Sequence, residues 1–236
     1  GDISQRRAFI KDDKCREKYF TPCHYRAFDK RYVYYSSKLV DRPRAAVLKH
    51  MLKPNIALIC HRQTYGLEFY HSFIADMISD LNYISNLGGG TVFPLWLYPD
   101  TAKRDMFSHL ESGERKANLA PRLVEALASV YGEEPTPEAI FYYIYGILYA
   151  NTYRSKYAEF LKIDFPRVPF TKDYDLFLKI GECGKRLVDL HLMKSSELES
   201  PVAKLRGSGD CKVDKLSYNR EEKRVYINKN QYFEGV

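Results

Sequence analysis

The chain has 236 residues, 45% of them hydrophobic and 28% charged, enough to bury a core and too few Pro, Gly and polar repeats for a disordered or collagen-like polymer. Mean hydropathy is -0.44 and no stretch approaches the roughly 18 consecutive apolar residues of a membrane span, which excludes a helical membrane protein. The net charge is +7, yet residues 1–62 hold 15 basic and 6 acidic side chains, so all of the excess lies in the first quarter, with His24, His50 and His61.

Such asymmetry has two readings. Clustered Lys and Arg favour a polyanionic partner through counterion release, or they form an ordinary solvated face on a protein of pI about 9.0. Position 1 is Gly and residues 1–20 carry no apolar run of signal-peptide type, which reads as a cytosolic fragment. Five scattered cysteines, Cys15, Cys23, Cys60, Cys183 and Cys211, fit reduced thiols better than a disulfide framework.

In chain order, the aromatic run Tyr32-Val33-Tyr34-Tyr35 predicts a strand. Asp41 as N-cap, Pro43 in the first turn and the common face of Val47, Leu48, Met51 and Leu52 predict a helix ended by Pro54. Residues 56–59 then read as a buried strand, an α/β beginning. Residues 69–74, 81–85 and 92–98 are strand-like, interrupted by Gly88-Gly89-Gly90, which is expected to be a loop because no phosphate-loop Lys-Ser/Thr accompanies it.

Beyond residue 100 the pattern becomes helical. Leu123, Val124, Leu127 and Val130 share one face. Thr136-Pro137-Glu138 supplies an N-cap, a first-position proline and a first-turn acid ahead of Ile140, Phe141, Ile144, Ile147 and Leu148. Seven tyrosines between Tyr131 and Tyr157 offer a base-stacking platform or, at helical spacing beside Ile and Leu, a core. Residues 164–170 contain two prolines and must be non-helical. Asp173 caps a helix running to about His191, and residues 213–218 and 224–228 predict a terminal β-hairpin. The fold class is α/β, mixed α+β, with a strand-rich N-terminal half carrying a mixed sheet and a helical C-terminal half.

Catalytic signatures are sparse. Asp100, Glu114 and Lys116 match a Pro-Asp…Glu-x-Lys nuclease spacing, in which two carboxylates hold a metal and a lysine assists water. That chemistry needs Glu and Lys on a strand packed against the core, whereas residues 111–118 read as polar and turn-like. Cys15, Cys23, Cys60 and His61 lack a zinc-ligand spacing, so no metal site is expected. No nucleophile elbow, metalloprotease helix or nucleotide fingerprint occurs.

Four blocks carry a family resemblance. They are Tyr25-Arg26-Ala27-Phe28-Asp29 with Arg31-Tyr32-Val33-Tyr34-Tyr35 and Asp41-Arg42-Pro43-Arg44; Phe93-Pro94-Leu95-Trp96-Leu97-Tyr98-Pro99; Thr136 through Tyr145 and on to Tyr157-Ala158-Glu159-Phe160 and Arg167; and Arg224-Val225-Tyr226-Ile227-Asn228 with Gln231-Tyr232-Phe233. In this order they resemble the C-terminal specificity region of single-polypeptide restriction-modification enzymes, the type ISP group and related N6-adenine methyltransferase fusions.

The resemblance implies a target recognition domain over residues 25–170, preceded by a linker (1–24) from a methyltransferase domain and followed by a C-terminal helix and hairpin (171–236) packed on the same unit. It implies double-stranded DNA and the methyltransferase domain of the same polypeptide as partners, a bacterial cytoplasm and no membrane. S-adenosylmethionine, ATP and magnesium would belong to the parent enzyme, leaving this piece without cofactor or catalysis. Where charge and resemblance meet, Arg26, Arg31, Arg42, Arg44, Lys49, Lys53 and Arg62 are candidates for DNA contact. Arg62, Gln63 and His71, with the turn at 86–90, are candidates for base readout. Arg42 and Arg44 could equally pair with Asp41 or cap a sheet edge.

Overall fold

In a computed structural model describing residues 3–12, 16–36, 39–40, 44–63, 72–85, 88–99 and 114–236, the aromatic run is the second arm of a hairpin. Behind a helix α1 (Ile3–Asp12), strands β1 (Phe20–Arg26) and β2 (Asp29–Tyr34) pair antiparallel, turning through Phe28 at φ 65°. β5 (Ile78–Ser79) adds to β1 in parallel, so this sheet, ordered β2-β1-β5, is mixed as expected.

The next helix is shorter than its sequence pattern. α2 (Ala45–Leu48) passes into a 3-10 turn over Lys49–Leu52, a geometry of about three residues per turn that sets Leu48 and Met51 in one inward row. Both are buried, while Val47 and Leu52 are exposed. The predicted caps Asp41 and Pro43 lie outside the described residues. β3 (Ala57–Cys60) is the expected buried strand, but it pairs antiparallel with β4 (Ser72–Ala75) and β6 (Thr91–Pro94) in a separate sheet. Strand, helix and strand therefore do not form a parallel crossover unit, because antiparallel neighbours occupy both edges of β3.

Two further strand expectations are corrected. Residues 81–85 form a turn: the Asp80 carboxylate accepts from Asn82 N at 2.9 Å, and buried Tyr83 donates its hydroxyl to Ile74 O at 2.8 Å. Residues 92–98 split in two after Pro94. β7 (Trp96–Leu97) leaves the sheet to pair with β8 (Lys116–Ala117). Asn55 holds the bend, accepting from Trp96 N at 3.0 Å and donating to Trp96 O at 2.8 Å.

The helical half follows its sequence signals closely. It comprises α3 (Pro121–Tyr131), α4 (Pro137–Tyr149), α5 (Asn151–Lys156), α6 (Ala158–Leu161) and α7 (Tyr174–His191). Thr136 caps α4 by accepting from Ala139 N at 3.2 Å, and Asp173 caps α7 by accepting from Leu176 N at 3.0 Å. α4 and α7 pack backbone to backbone through glycines. A methyl at Gly184 would overlap the Tyr142 carbonyl, and one at Gly146 would lie 2.7 Å from Ile180 O.

The tyrosine cluster is core and core edge. Tyr143, Tyr145 and Tyr153 are buried, and burial raises the Tyr143 and Tyr153 phenols above their ordinary value. Their hydroxyls are used structurally: Tyr131 donates to Thr171 O, Tyr143 to Pro169 O and Tyr153 to Arg167 O, all at 2.8–2.9 Å. These three bonds fasten the irregular, proline-bearing strap over residues 164–171, whose backbone has no ladder of its own.

The chain divides into two compact units, Gly1–Met193 and Lys194–Val236. The second unit holds β9 (Lys204–Arg206), β10 (Ser217–Asn219), β11 (Arg224–Tyr226) and β12 (Tyr232–Glu234). The expected hairpin β10–β11 is part of an antiparallel sheet ordered β10-β11-β12-β9. Buried Gln231 organises its loops, its Oε1 accepting from Cys211 N at 3.0 Å and Asn228 Nδ2 at 3.1 Å.

Candidate nucleic-acid interface

The β1–β2 hairpin builds a cationic and aromatic site by strand geometry alone. Asp29 and Arg31 are two apart on β2 and so project from one face. The Arg31 guanidinium forks onto the Asp29 carboxylate, Nε to Oδ1 at 3.0 Å and Nη2 to Oδ2 at 2.7 Å. On β1 the register passes from His24 opposite Lys30 to Arg26 opposite Asp29, leaving Tyr25 as the bulged residue. A bulge re-aims its side chain. The Tyr25 ring receives two guanidinium groups, Arg31 at 4.1 Å and Arg26 at 4.2 Å from its centroid. Arg26 is held in turn by Asp80, Nη1 to Oδ1 at 2.7 Å.

Arg44 approaches from α2. It adopts the left-handed region, φ 45° and ψ 38°, which a non-glycine residue keeps only where its surroundings impose it. Its Nη1 donates to Gly90 O at 2.8 Å, which ties the side chain to the glycine turn. Tyr25, Arg31, Tyr32, Arg44 and Asp80 together line a cleft of about 410 Å³, at whose rim Tyr32 is 78% exposed.

Electrostatically the cleft is less positive than the first quarter of the chain implies. Arg26 and Arg31 each face an aspartate, and hydrogen bonding from Arg31 holds the Asp29 carboxyl below its ordinary value. These pairs are solvent-exposed and add little to stability, so they offset local charge and orient the guanidinium groups without burying them.

The remaining predicted residues are distributed. Lys53 lies over the Tyr98 ring at 4.9 Å, and Lys49 is half-buried on the 3-10 turn. Arg62 pairs with Asp164 at the start of the strap, Nε to Oδ1 at 2.9 Å, and Gln63 is exposed beside it in sequence. Neither Arg62 nor Gln63 lines the cleft. Arg42, His71, Asn86 and Leu87 fall outside the described residues. The sequence reading missed Asp29, Asp80 and Tyr32 as site residues, and quoted Tyr25 without assigning it a role. The Asp-x-Arg spacing on a strand-like run was the available signal.

Of the nuclease triplet, Asp100 lies outside the described residues. Glu114 is exposed, and Lys116 falls on β8 rather than in a turn, exposed on a two-stranded ribbon. Among the described residues no group of three or more His, Cys, Asp or Glu is placed to hold a metal ion. Cys23 and Cys60 are free and buried, and burial pushes the Cys60 thiol up to about 12, far from thiolate at neutral pH. No helix among the described residues is long and apolar enough to cross a membrane.

Comparison with known proteins bears on the whole chain. The model of the Type ISP C-terminal specificity domain matches residues 2–236. No curated protein matches the sequence. Among solved structures, the ATP-dependent Type ISP restriction-modification enzyme LlaBIII bound to DNA is similar over 100% of this chain and 15% of its own, with 22% identity and a TM-score of 0.71. A nuclease-deletion mutant of the Type ISP enzyme LlaGI in complex with a DNA substrate mimic is similar over 98% of this chain and 19% of its own, at 23% identity and TM-score 0.63. The DrdV–DNA complex is similar over 95% of this chain and 22% of its own, at 20% identity and TM-score 0.70. The chain thus shares their fold and spans about a fifth or less of each.

Proposed function

The chain belongs to the Type ISP C-terminal specificity domain family, and from that premise we propose that it recognises a sequence in double-stranded DNA and directs the adenine methyltransferase and restriction activities of a parent enzyme. It does so in a bacterial cytoplasm, without catalysis of its own. S-adenosylmethionine, ATP and magnesium serve other domains of that parent.

The observation that carries this reading is the cleft in which Arg31, Arg44, Tyr25 and Tyr32 converge. Its parts divide the work of a DNA-binding surface. Arg44, anchored through the backbone of the glycine turn, offers its remaining N–H groups as a positive point suited to a phosphate, which fixes position without reading sequence. Tyr32 supplies an exposed ring edge, and Arg26 and Arg31 are cations already oriented on an aromatic plane.

The test is duplex binding by the isolated chain, read by fluorescence anisotropy across ionic strength. Affinity should fall steeply between about 50 and 200 mM salt, and Arg44→Ala should weaken binding to every sequence alike and reduce the logarithmic salt slope by about 1. Salt-independent binding, or an unchanged slope in the variant, would contradict an electrostatic footprint at this cleft. Plasmid left intact in the presence of magnesium or manganese is the accompanying result expected of a non-catalytic module.

A further inference from the structure

Resting on that reading, we infer that Arg31 is the side chain in this cleft that reads a guanine, with Asp29 as its positioning residue. The geometry that carries the inference is the orientation of one guanidinium group. Arginine offers five N–H donors in a plane. Two of Arg31's, on Nε and Nη2, are spent on the two oxygens of Asp29. The three that remain, two on Nη1 and one on Nη2, include a parallel pair at the end of the fork. That pair matches two acceptors side by side, as guanine O6 and N7 present them in the major groove.

Two restraints act on the same plane. Asp29 fixes its rotation about the side-chain axis, and the guanidinium carbon sits over the Tyr25 ring, 4.1 Å from the ring centroid. A residue that only neutralises phosphate gains nothing from such restraint, since phosphate accepts from many directions. A residue that discriminates bases does gain, because a guanidinium free to rotate would also accept other acceptor patterns. The acidic partner contributes in a second way: Asp29 beside the fork repels phosphate and leaves a base edge as the more favourable acceptor.

Arg26 and Arg44 differ on this point. Arg26 uses Nη1, at the end of its fork, on Asp80 at 2.7 Å. Arg44 uses Nη1 on Gly90 O. Arg31, by contrast, meets its aspartate through Nε and Nη2 along the side of the guanidinium, which leaves Nη1 unused and the end-on pair of N–H groups open.

The experiment is selection from a pool of random-sequence duplexes by the full chain and by three variants, with affinities measured afterwards on the enriched duplexes. The wild type is expected to enrich a motif with at least one guanine, preferred over other bases at that position by on the order of 5- to 150-fold. Arg31→Lys keeps the charge but has neither fork nor plane. It should retain affinity within a few-fold for the pool while losing the preference at that one position. Asp29→Ala should bind the pool as well as or better than wild type and yet discriminate less at the same position, an opposite movement of affinity and specificity that a purely structural role would not give.

Arg44→Ala should lower affinity with the motif unchanged. Circular dichroism checks each fold, and the exposure of Arg31 makes its replacement tolerable. A motif that survives intact in Arg31→Lys overturns the assignment of Arg31 and leaves the DNA-recognition reading standing. Failure of the wild type to enrich any motif overturns both.

Discussion

At the residue scale, the feature that separates the candidate cations is what each already holds. Composition placed Arg26, Arg31, Arg44 and Arg62 in one positive quarter, but their partners are Asp80, Asp29, Gly90 O and Asp164. Three of those partners are distant in sequence, and a pairing across such separations leaves no local trace. Only Asp29–Arg31, two apart on a strand, was legible in principle. A second residue with a defined electrostatic state is His191. Burial, helped by Arg154, lowers its pKa below the ordinary 6.5, while its ring stacks on Phe73 at 4.7 Å and its Nδ1 bonds with the Tyr145 hydroxyl at 2.7 Å. The unfolded chain therefore takes up this proton before the folded one, so its stabilising effect is present above 6.5 and is lost as pH falls through the lowered folded value. Urea midpoints should decline as pH drops below 6.5. His191→Phe should lower stability at pH 8 by about 1–3 kcal/mol, through loss of the bond to the Tyr145 hydroxyl, and flatten that acid-side decline. A decline of unchanged steepness in the variant would assign the titration to another group.

At the scale of elements, sequence signals worked where local chemistry decides and failed where pairing decides. Thr136 and Asp173 announce α4 and α7 because a cap bonds within three residues of itself. The strand of residues 81–85 was misread and the break within 92–98 was missed because Asp80 and Asn55 redirect the chain through side-chain bonds that hydrophobic pattern does not encode. Close packing of α4 on α7 was equally hidden, since Gly184 has no local reason to be glycine inside a helix. Gly184→Ala should cost about 3 kcal/mol or more by forcing the helices apart, whereas Gly132→Ala, at φ 79° with open space around it, should cost only about 1–2 kcal/mol. Equal urea midpoints for the two variants would contradict the close approach. Tyr143→Phe removes a hydroxyl that donates to Pro169 O and accepts from Thr171 N at 3.1 Å. It should lower stability by about 1–3 kcal/mol and open the strap at residues 164–171, seen as faster hydrogen exchange there than at α7.

At the scale of the whole molecule, the four ordered sequence blocks were enough to place the chain in its family, and it shares its fold with enzymes more than four times its length. The positive first quarter pointed toward the hairpin that bears the cleft, yet charge counting overstated its potential, because aspartates sit beside two of its arginines. That arrangement suits selection among sequences better than tight indiscriminate binding. The claim on which the account turns is that this chain chooses where a methyltransferase acts. The direct measurement is to exchange the segment for its counterpart from another member of the family within a full-length enzyme and to map methylated adenines in the cells that carry it. We expect the methylated motif to follow the exchanged segment; a motif that stays with the unexchanged remainder would contradict the account.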